Sequence, residues 1–207
     1  MSNTYRTFKD YEVYSYKLEV KRSVFIGYAK RIDSVAAANE FVQQIRAKHP
    51  DVRHACWGYA IGSNREIQRF TDDGEPGGTA GVPILQTILK NSGEGPLSDV
   101  ISVVIRYFGG VLLGAGGLVR AYSEASAKTI TEASQTSRIL ENIYKVTVPL
   151  ASTGKVENQF RANGHVPITT DYSATALELT IPLPDLSLVE KLQLSAELVD
   201  TQWVDAV

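Results

Sequence analysis

ISVVIRYFGGVLLGAGGLVR, residues 101–120, decides how this chain is read. Ile101, Val103, Val104 and Ile105 make a nearly continuous β-branched run, the mark of a strand covered on both faces. Arg106, Tyr107 and Phe108 end it, and Gly109, Gly110, Gly114, Gly116 and Gly117 follow. A helix is expected from about Gly116 to Ser134, with Ala121, Ala125, Ala127 and Ala133 small enough for close packing on a sheet. A strand passing through glycines into a helix start is a recipe for anion binding, because unpaired N–H groups and the helix dipole meet there. Arg106 and Arg120 are placed to add bidentate contacts to a phosphate. The same glycines also suit tight helix–sheet packing, and the pattern alone leaves both readings open.

The glycine run excludes two large classes. Gly109 and Gly114 have the spacing of a P-loop, but Ala115 and Gly116 stand where Lys and Ser/Thr are required. The dinucleotide fingerprint fails too, since Gly114-Ala115-Gly116 is followed by Gly117, Leu118 and Val119.

Toward the N-terminus, strands are expected at Tyr11–Glu19 and Ser23–Arg31, split by the basic pair Lys21-Arg22. An amphipathic helix follows, capped by Asp33 or Ser34, with Val35, Ala38, Phe41, Val42 and Ile45 on one stripe and Pro50 as its stop. Val52–Ile61 alternates as a strand that pairs with Glu66–Thr71 across Gly62-Ser63-Asn64. Ala80–Leu89 is read as a short helix with Thr79 as its N-cap. Beyond the polar stretch Ser134–Arg138 the expected order is strand, helix, strand, strand, helix, strand. That βαββαβ order is the ferredoxin-like split motif. The chain is therefore expected to be α+β, with domains at 1–136 and 137–207.

Composition is that of an ordinary globular protein, 43% hydrophobic and 21% charged. The polar start MSNTYRTFKDYEVYSYK is unlike a signal peptide, and no run approaches a membrane span, so a complete cytoplasmic chain is expected. One cysteine, Cys56, allows no internal disulfide, and with three histidines it is too little for a zinc framework. No cofactor is expected. Net charge is −2, but residues 1–137 carry +2 and residues 138–207 carry −4. Any anion-binding surface therefore belongs to the first part, as a local patch.

Two other clusters hold chemistry. Asp72, Asp73 and Glu75 fall within four positions of a loop that continues Pro76-Gly77-Gly78-Thr79-Ala80-Gly81. Such carboxylates suit a hard cation with waters, but Asp, Gly and Pro are also the residues of a shaped turn, and the turn is the expected reading, with no metal. His54 and Cys56 sit two apart on one strand face; a Cys–His pair is conceivable, and a structural core role is the expectation. Lys21-Arg22 with Arg31 would extend a basic surface. Trp57 and Tyr59 are expected to be core.

These clusters in this order resemble the YigZ/IMPACT family. The resemblance rests on Lys21-Arg22-Ser23-Val24-Phe25-Ile26-Gly27, His54-Ala55-Cys56, Asp72-Asp73-Gly74-Glu75-Pro76 with Gly78-Thr79-Ala80-Gly81, and Arg106-Tyr107-Phe108-Gly109-Gly110 through Arg120-Ala121-Tyr122. It spans roughly residues 15–130. It implies an N-terminal domain similar to the second domain of a small-subunit ribosomal protein and to domain IV of elongation factor G, followed by a ferredoxin-like domain resembling that factor's domain V. Bacterial members have been suggested to bind nucleic acid. Eukaryotic relatives regulate translation initiation by competing for a ribosome-associated activator of a stress kinase, partly through an RWD domain of which this chain has no trace, so that partner does not carry over. Trp57-Gly58 departs from the Tyr-Ala-like pair more usual in the family.

The expected function is a non-enzymatic, translation-associated regulator that binds RNA, the ribosome or a ribosome-associated protein, without evident DNA specificity. Lys21, Arg22, Asp72, Asp73, Glu75, Thr79, Arg106, Tyr107, Gly109, Gly110, Gly114, Gly116, Gly117 and Arg120 are its candidate contacts. The alternatives are a small enzyme for a phosphate or nucleotide ligand held by the glycine loop, and a protein-binding module.

Overall fold

The computed structural model describes residues 4–91 and 93–206. It is a mixed α+β protein with two antiparallel sheets and, among the described residues, five α-helices. The chain divides into two compact units, Met1–Ser137 and Arg138–Val207. No helix among the described residues is long and apolar enough to cross a membrane.

The first unit opens with a strand absent from the sequence-based expectation, β1 (Thr4–Phe8). Its residues have no clean alternation, and what holds them is long-range. The Arg6 N–H donates to the Pro96 carbonyl at 2.8 Å, the Ser98 N–H to the Arg6 carbonyl at 2.8 Å, and the Tyr5 hydroxyl to Asp99. β2 (Tyr14–Val20) begins three residues later than expected and forms a hairpin with β3 (Ser23–Arg31). α1 (Val35–Lys48) starts at Ser34, whose side chain accepts from the Ala37 N–H. Next come β4 (His54–Ile61), β5 (Ile67–Thr71), α2 (Gly81–Leu89), β6 (Val100–Tyr107) and α3 (Ala115–Glu132). The sheet runs β2-β3-β6-β4-β5.

β6 is central and covered on both sides, as its β-branched run requires. Ile101, Val103 and Ile105 face α1 with Tyr28, Phe41, Ile45, Ala55 and Tyr59, while Val104 faces α2 and α3 with Phe25, Cys56, Ile84, Leu118 and Ala121. Each such burial contributes roughly 1.5–3 kcal/mol, so this strand is the keel of the unit. Trp57 and Tyr59 stack at 5.4 Å on the α1 side, Tyr59 buried and Trp57 half-buried. Gly58 lies under α2, where an added methyl would come within 2.8 Å of the Leu85 backbone nitrogen. The Trp57-Gly58 pair therefore serves packing, and Gly58 lets α2 approach the sheet.

β7 (Gln135–Pro149) begins inside the stretch expected to be a boundary. The second unit continues with a short 3-10 turn, α4 (Thr153–Ala162), β8 (Thr169–Tyr172), β9 (Ala176–Leu183), α5 (Ser187–Lys191) and β10 (Ser195–Asp205). Among this unit's own strands the order is β10-β7-β9-β8, each of these pairs antiparallel; β1 also joins this sheet, in the order β1-β7-β9-β8. Val146, Val148, Phe160, Leu177, Leu179 and Ile181 fill its core.

Candidate functional site

The loop between β5 and α2 uses each of its three carboxylates internally. Asp72 accepts N–H groups from Gly78 at 2.8 Å, Ala80 at 2.9 Å and Gly81 at 2.8 Å. Partial burial pushes the Asp72 carboxyl up, but the three amides outweigh this and hold it below the usual carboxylate range. Asp72 thus caps α2 from eight residues upstream, which corrects the assignment of that cap to Thr79. Thr79 is buried, and its hydroxyl donates to the Pro76 carbonyl at 2.6 Å. Asp73, in a left-handed conformation (φ 45°), accepts the Ala55 N–H at 2.6 Å and pairs with Arg46. Glu75 is buried and receives the Arg106 guanidinium, with Nη1 at 2.9 Å, and the Tyr122 hydroxyl at 2.8 Å.

Arg106 is therefore not an open surface cation, and that part of the expectation is corrected: Glu75 takes up its charge and its Nη1, leaving only the rest of the guanidinium for a ligand. Its side chain is 9% exposed. The guanidinium lies over the Phe25 ring at 5.6 Å and the Phe108 ring at 5.4 Å, clamped between two aromatics. The physical reason is register: Arg106 pairs with Phe25 on one side and His54 on the other, which turns it toward α3 and the acid loop. Arg31 also departs from the basic-surface reading, being buried with Nη1 donating to the Phe8 carbonyl.

His54 and Cys56 separate. Cys56 is buried, its thiol donates to the Asp72 carbonyl at 3.0 Å, and burial pushes its pKa up to about 12. Such a thiol carries negligible thiolate at neutral pH and cannot serve as a nucleophile. His54 is half-buried rather than core, with its ring beside Gly74. Its Nδ1 lies 2.8 Å from the Asp73 carbonyl, which can only accept, so Nδ1 carries the proton.

Tyr107, next along β6, points to the opposite face from Arg106 and joins a pair of hydroxyls about His49. The Tyr107 hydroxyl is 2.9 Å from Nδ1 and the Tyr28 hydroxyl 2.7 Å from Nε2. Burial, and then the Lys48 charge, lower the His49 pKa. Between this lowered value and the ordinary histidine value the unfolded chain binds more protons than the folded one, so the stability from neutral His49 is present above the ordinary value and lost as pH falls through the lowered one. Thermal melts between pH 7.5 and 5.5 should show the wild-type midpoint falling more steeply than that of His49→Gln. Identical slopes would remove His49 from this role.

The remaining candidates gather at one end of the first unit. Lys21 (φ 46°) and Arg22 (φ 66°) are the central residues of a two-residue turn closed by the Val20–Ser23 pair, and both are exposed. Left-handed angles at both positions make this a primed hairpin turn, occupied at some strain by cations instead of Asn or Gly. Gly109 sits directly on that turn. Its N–H donates to Ser23 Oγ at 3.1 Å, and a methyl there would come within 2.1 Å of the Arg22 carbonyl carbon. Only glycine allows this junction. Gly110 and Gly114 have positive φ and open surroundings, and Gly116 is equally open, so an added side chain there would meet nothing.

α3 begins over the turn, with Leu113 and Leu118 packed in the same cluster as Val20. Its N-cap, Gly114, provides no side-chain bond, so the amides of Ala115, Gly116 and Gly117 lack intrahelical acceptors. Arg120 is exposed one turn further on, stacked above Gly116. Sequence reasoning missed the apolar component: Phe108 (59% exposed), Val111 and Leu112 (84%) project from the same loop. Exposed apolar residues among glycines are a signal the sequence does carry, since Val111-Leu112-Leu113 cannot all be buried in so short a connection.

The fold and this platform define a small α+β protein that presents a shaped loop surface on a rigid sheet. Residues 21–130 match the model of the Impact N-terminal domain, and the chain belongs to the IMPACT family. It is 38% identical over 161 residues to the IMPACT family member YvyE of Bacillus subtilis (strain 168), covering 78% of this chain and 71% of that one. It is 36% identical over 185 residues to the IMPACT family member YigZ of Escherichia coli (strain K12), covering 88% and 86%. Among solved structures it is similar to one titled as the crystal structure of a hypothetical protein, with TM-score 0.65, 28% identity, and coverage of 97% and 99%.

Proposed function

We propose that this chain is a non-catalytic, cytoplasmic translation-associated factor that contacts RNA on the ribosome through the platform of the first unit. The observation that carries the reading is the junction of Gly109 with the Lys21-Arg22 turn, which holds two exposed cations beside the unpaired amides of α3. Cations, helix amides and exposed apolar side chains together are the chemistry of a phosphate backbone with unstacked bases. Internal use of Asp72, Asp73 and Glu75 supports it further, because the acid loop then acts as the scaffold of this surface and leaves no carboxylate poised as a base. The general link of the IMPACT family to translation regulation agrees with this. The strand order of the second unit supports the ferredoxin-like reading there, and with it that unit's likeness to domain V of elongation factor G.

Sedimentation of the protein through polysome gradients tests this. It should travel with ribosomal particles at low salt and leave them as salt rises, since contacts to phosphates are lost by counterion competition. Absence from ribosomal fractions at every salt concentration would overturn the reading.

A further inference from the structure

We propose that a cavity of about 520 Å³ bounded by Asp51, Arg53, His54, Arg106, Phe108 and Leu112 takes one nucleotide unit, base and phosphate together. As the seat of a nucleotide within single-stranded RNA it rests on the function proposed above; as the seat of a free nucleotide it stands alone. The volume falls in the range of about 300–1,000 Å³ ordinary for small-molecule sites.

The first argument is an unspent guanidinium. The Arg106 side chain is nine-tenths buried and lines this cavity. Its Nη1 is committed to both Glu75 oxygens, at 2.9 and 3.2 Å. Its Nε is buried without a hydrogen-bond partner, and among the described residues Nη2 forms no hydrogen bond. A guanidinium carries five donors in a rigid fork, and donors left unmade in a buried place carry a cost that an incoming acceptor relieves. The donors that Glu75 does not take are the ones an incoming phosphate or base carbonyl oxygen would engage.

The other walls complete the complement of a nucleotide. Arg53 is exposed and adds a second cation at the cavity. Phe108 and Leu112 are exposed and offer an apolar flank, against which any of the bases can stack. With Nδ1 donating to the Asp73 carbonyl, His54 has Nε2 as an acceptor, suited to a ribose hydroxyl. Asp51 supplies an acceptor for an exocyclic amine. Cations, an apolar flank and two acceptors fit a nucleotide better than an inorganic anion, which would leave the flank unused.

Calorimetric or ligand-observed NMR titration distinguishes the sources. The probes are uridine and adenosine 5′-monophosphates, the nucleosides without phosphate, inorganic phosphate, and a single-stranded decauridylate. The monophosphates and the decamer should bind, with nucleoside or phosphate alone about tenfold weaker or more, the scale of one lost charged contact or stack. Arg53→Ala and Phe108→Leu, each first shown to melt like wild type, should weaken both by about tenfold. Binding of monophosphates without the decamer would keep the cavity as a free-nucleotide site and count against the RNA reading. Decamer binding unaffected by either variant, with no monophosphate binding, would overturn the cavity while leaving the RNA reading intact.

Discussion

Arg106→Ala is expected to lower the unfolding midpoint of the first unit by on the order of 10 °C, a loss of roughly 3–5 kcal/mol. The substitution strips the ion-pair partner from Glu75, whose side chain is 4% exposed, and leaves it one neutral donor, the Tyr122 hydroxyl. Breaking a buried pair by removing one member is costly because the other charge stays behind. The clamp of Phe25 and Phe108 also loses its filling. Replacing both members, as Arg106→Met with Glu75→Gln, should recover most of the loss, since the buried charge is then absent. A midpoint for Arg106→Ala indistinguishable from wild type would show that the pair does not hold the acid loop to β6.

The second large effect concerns binding. The combined variant Lys21→Asn, Arg22→Asn, Arg120→Gln removes three exposed cations without straining the backbone. Asn tolerates the left-handed angles of positions 21 and 22 better than Lys or Arg does. Thermal stability should hold or rise slightly. Affinity for single-stranded RNA at low salt should fall about a hundredfold, on the basis of roughly 1 kcal/mol per lost charged contact. The slope of log affinity against log salt should flatten by about 2, near 0.7 per phosphate for a single strand. An unchanged slope in a folded variant would place the RNA contact elsewhere.

Much of this architecture was legible because it is local. The β-branched run at Ile101–Ile105 and the glycines after it announce a central strand and a helix start, and both stand where expected. The acid loop could be read as a shaped turn from Asp, Gly and Pro alone. What the sequence did not disclose are pairings across distance. Asp72 caps a helix eight residues on, Glu75 meets Arg106 and Tyr122 across 31 and 47 positions, and β1 is held by residues some ninety positions away. No periodicity encodes such contacts. Arg106 illustrates the consequence: beside a glycine loop it resembles a phosphate ligand, and only the register of β6 shows that its charge is matched by Glu75 within the fold. Likewise Gly109 and Gly116 are equivalent as letters. Structure alone shows that Gly109 is a junction and that Gly116 stands in open space.

Site-specific photocrosslinking on intact ribosomal particles tests the central claim most directly. A photoreactive amino acid placed at Leu112, the most exposed apolar residue of the platform, is compared with one at Tyr172, exposed on β8 of the second unit. The account predicts crosslinks to ribosomal RNA from position 112 that disappear at high salt, with few or none from position 172. RNA crosslinks from position 172 but none from position 112, or crosslinks from position 112 to protein alone, would contradict it.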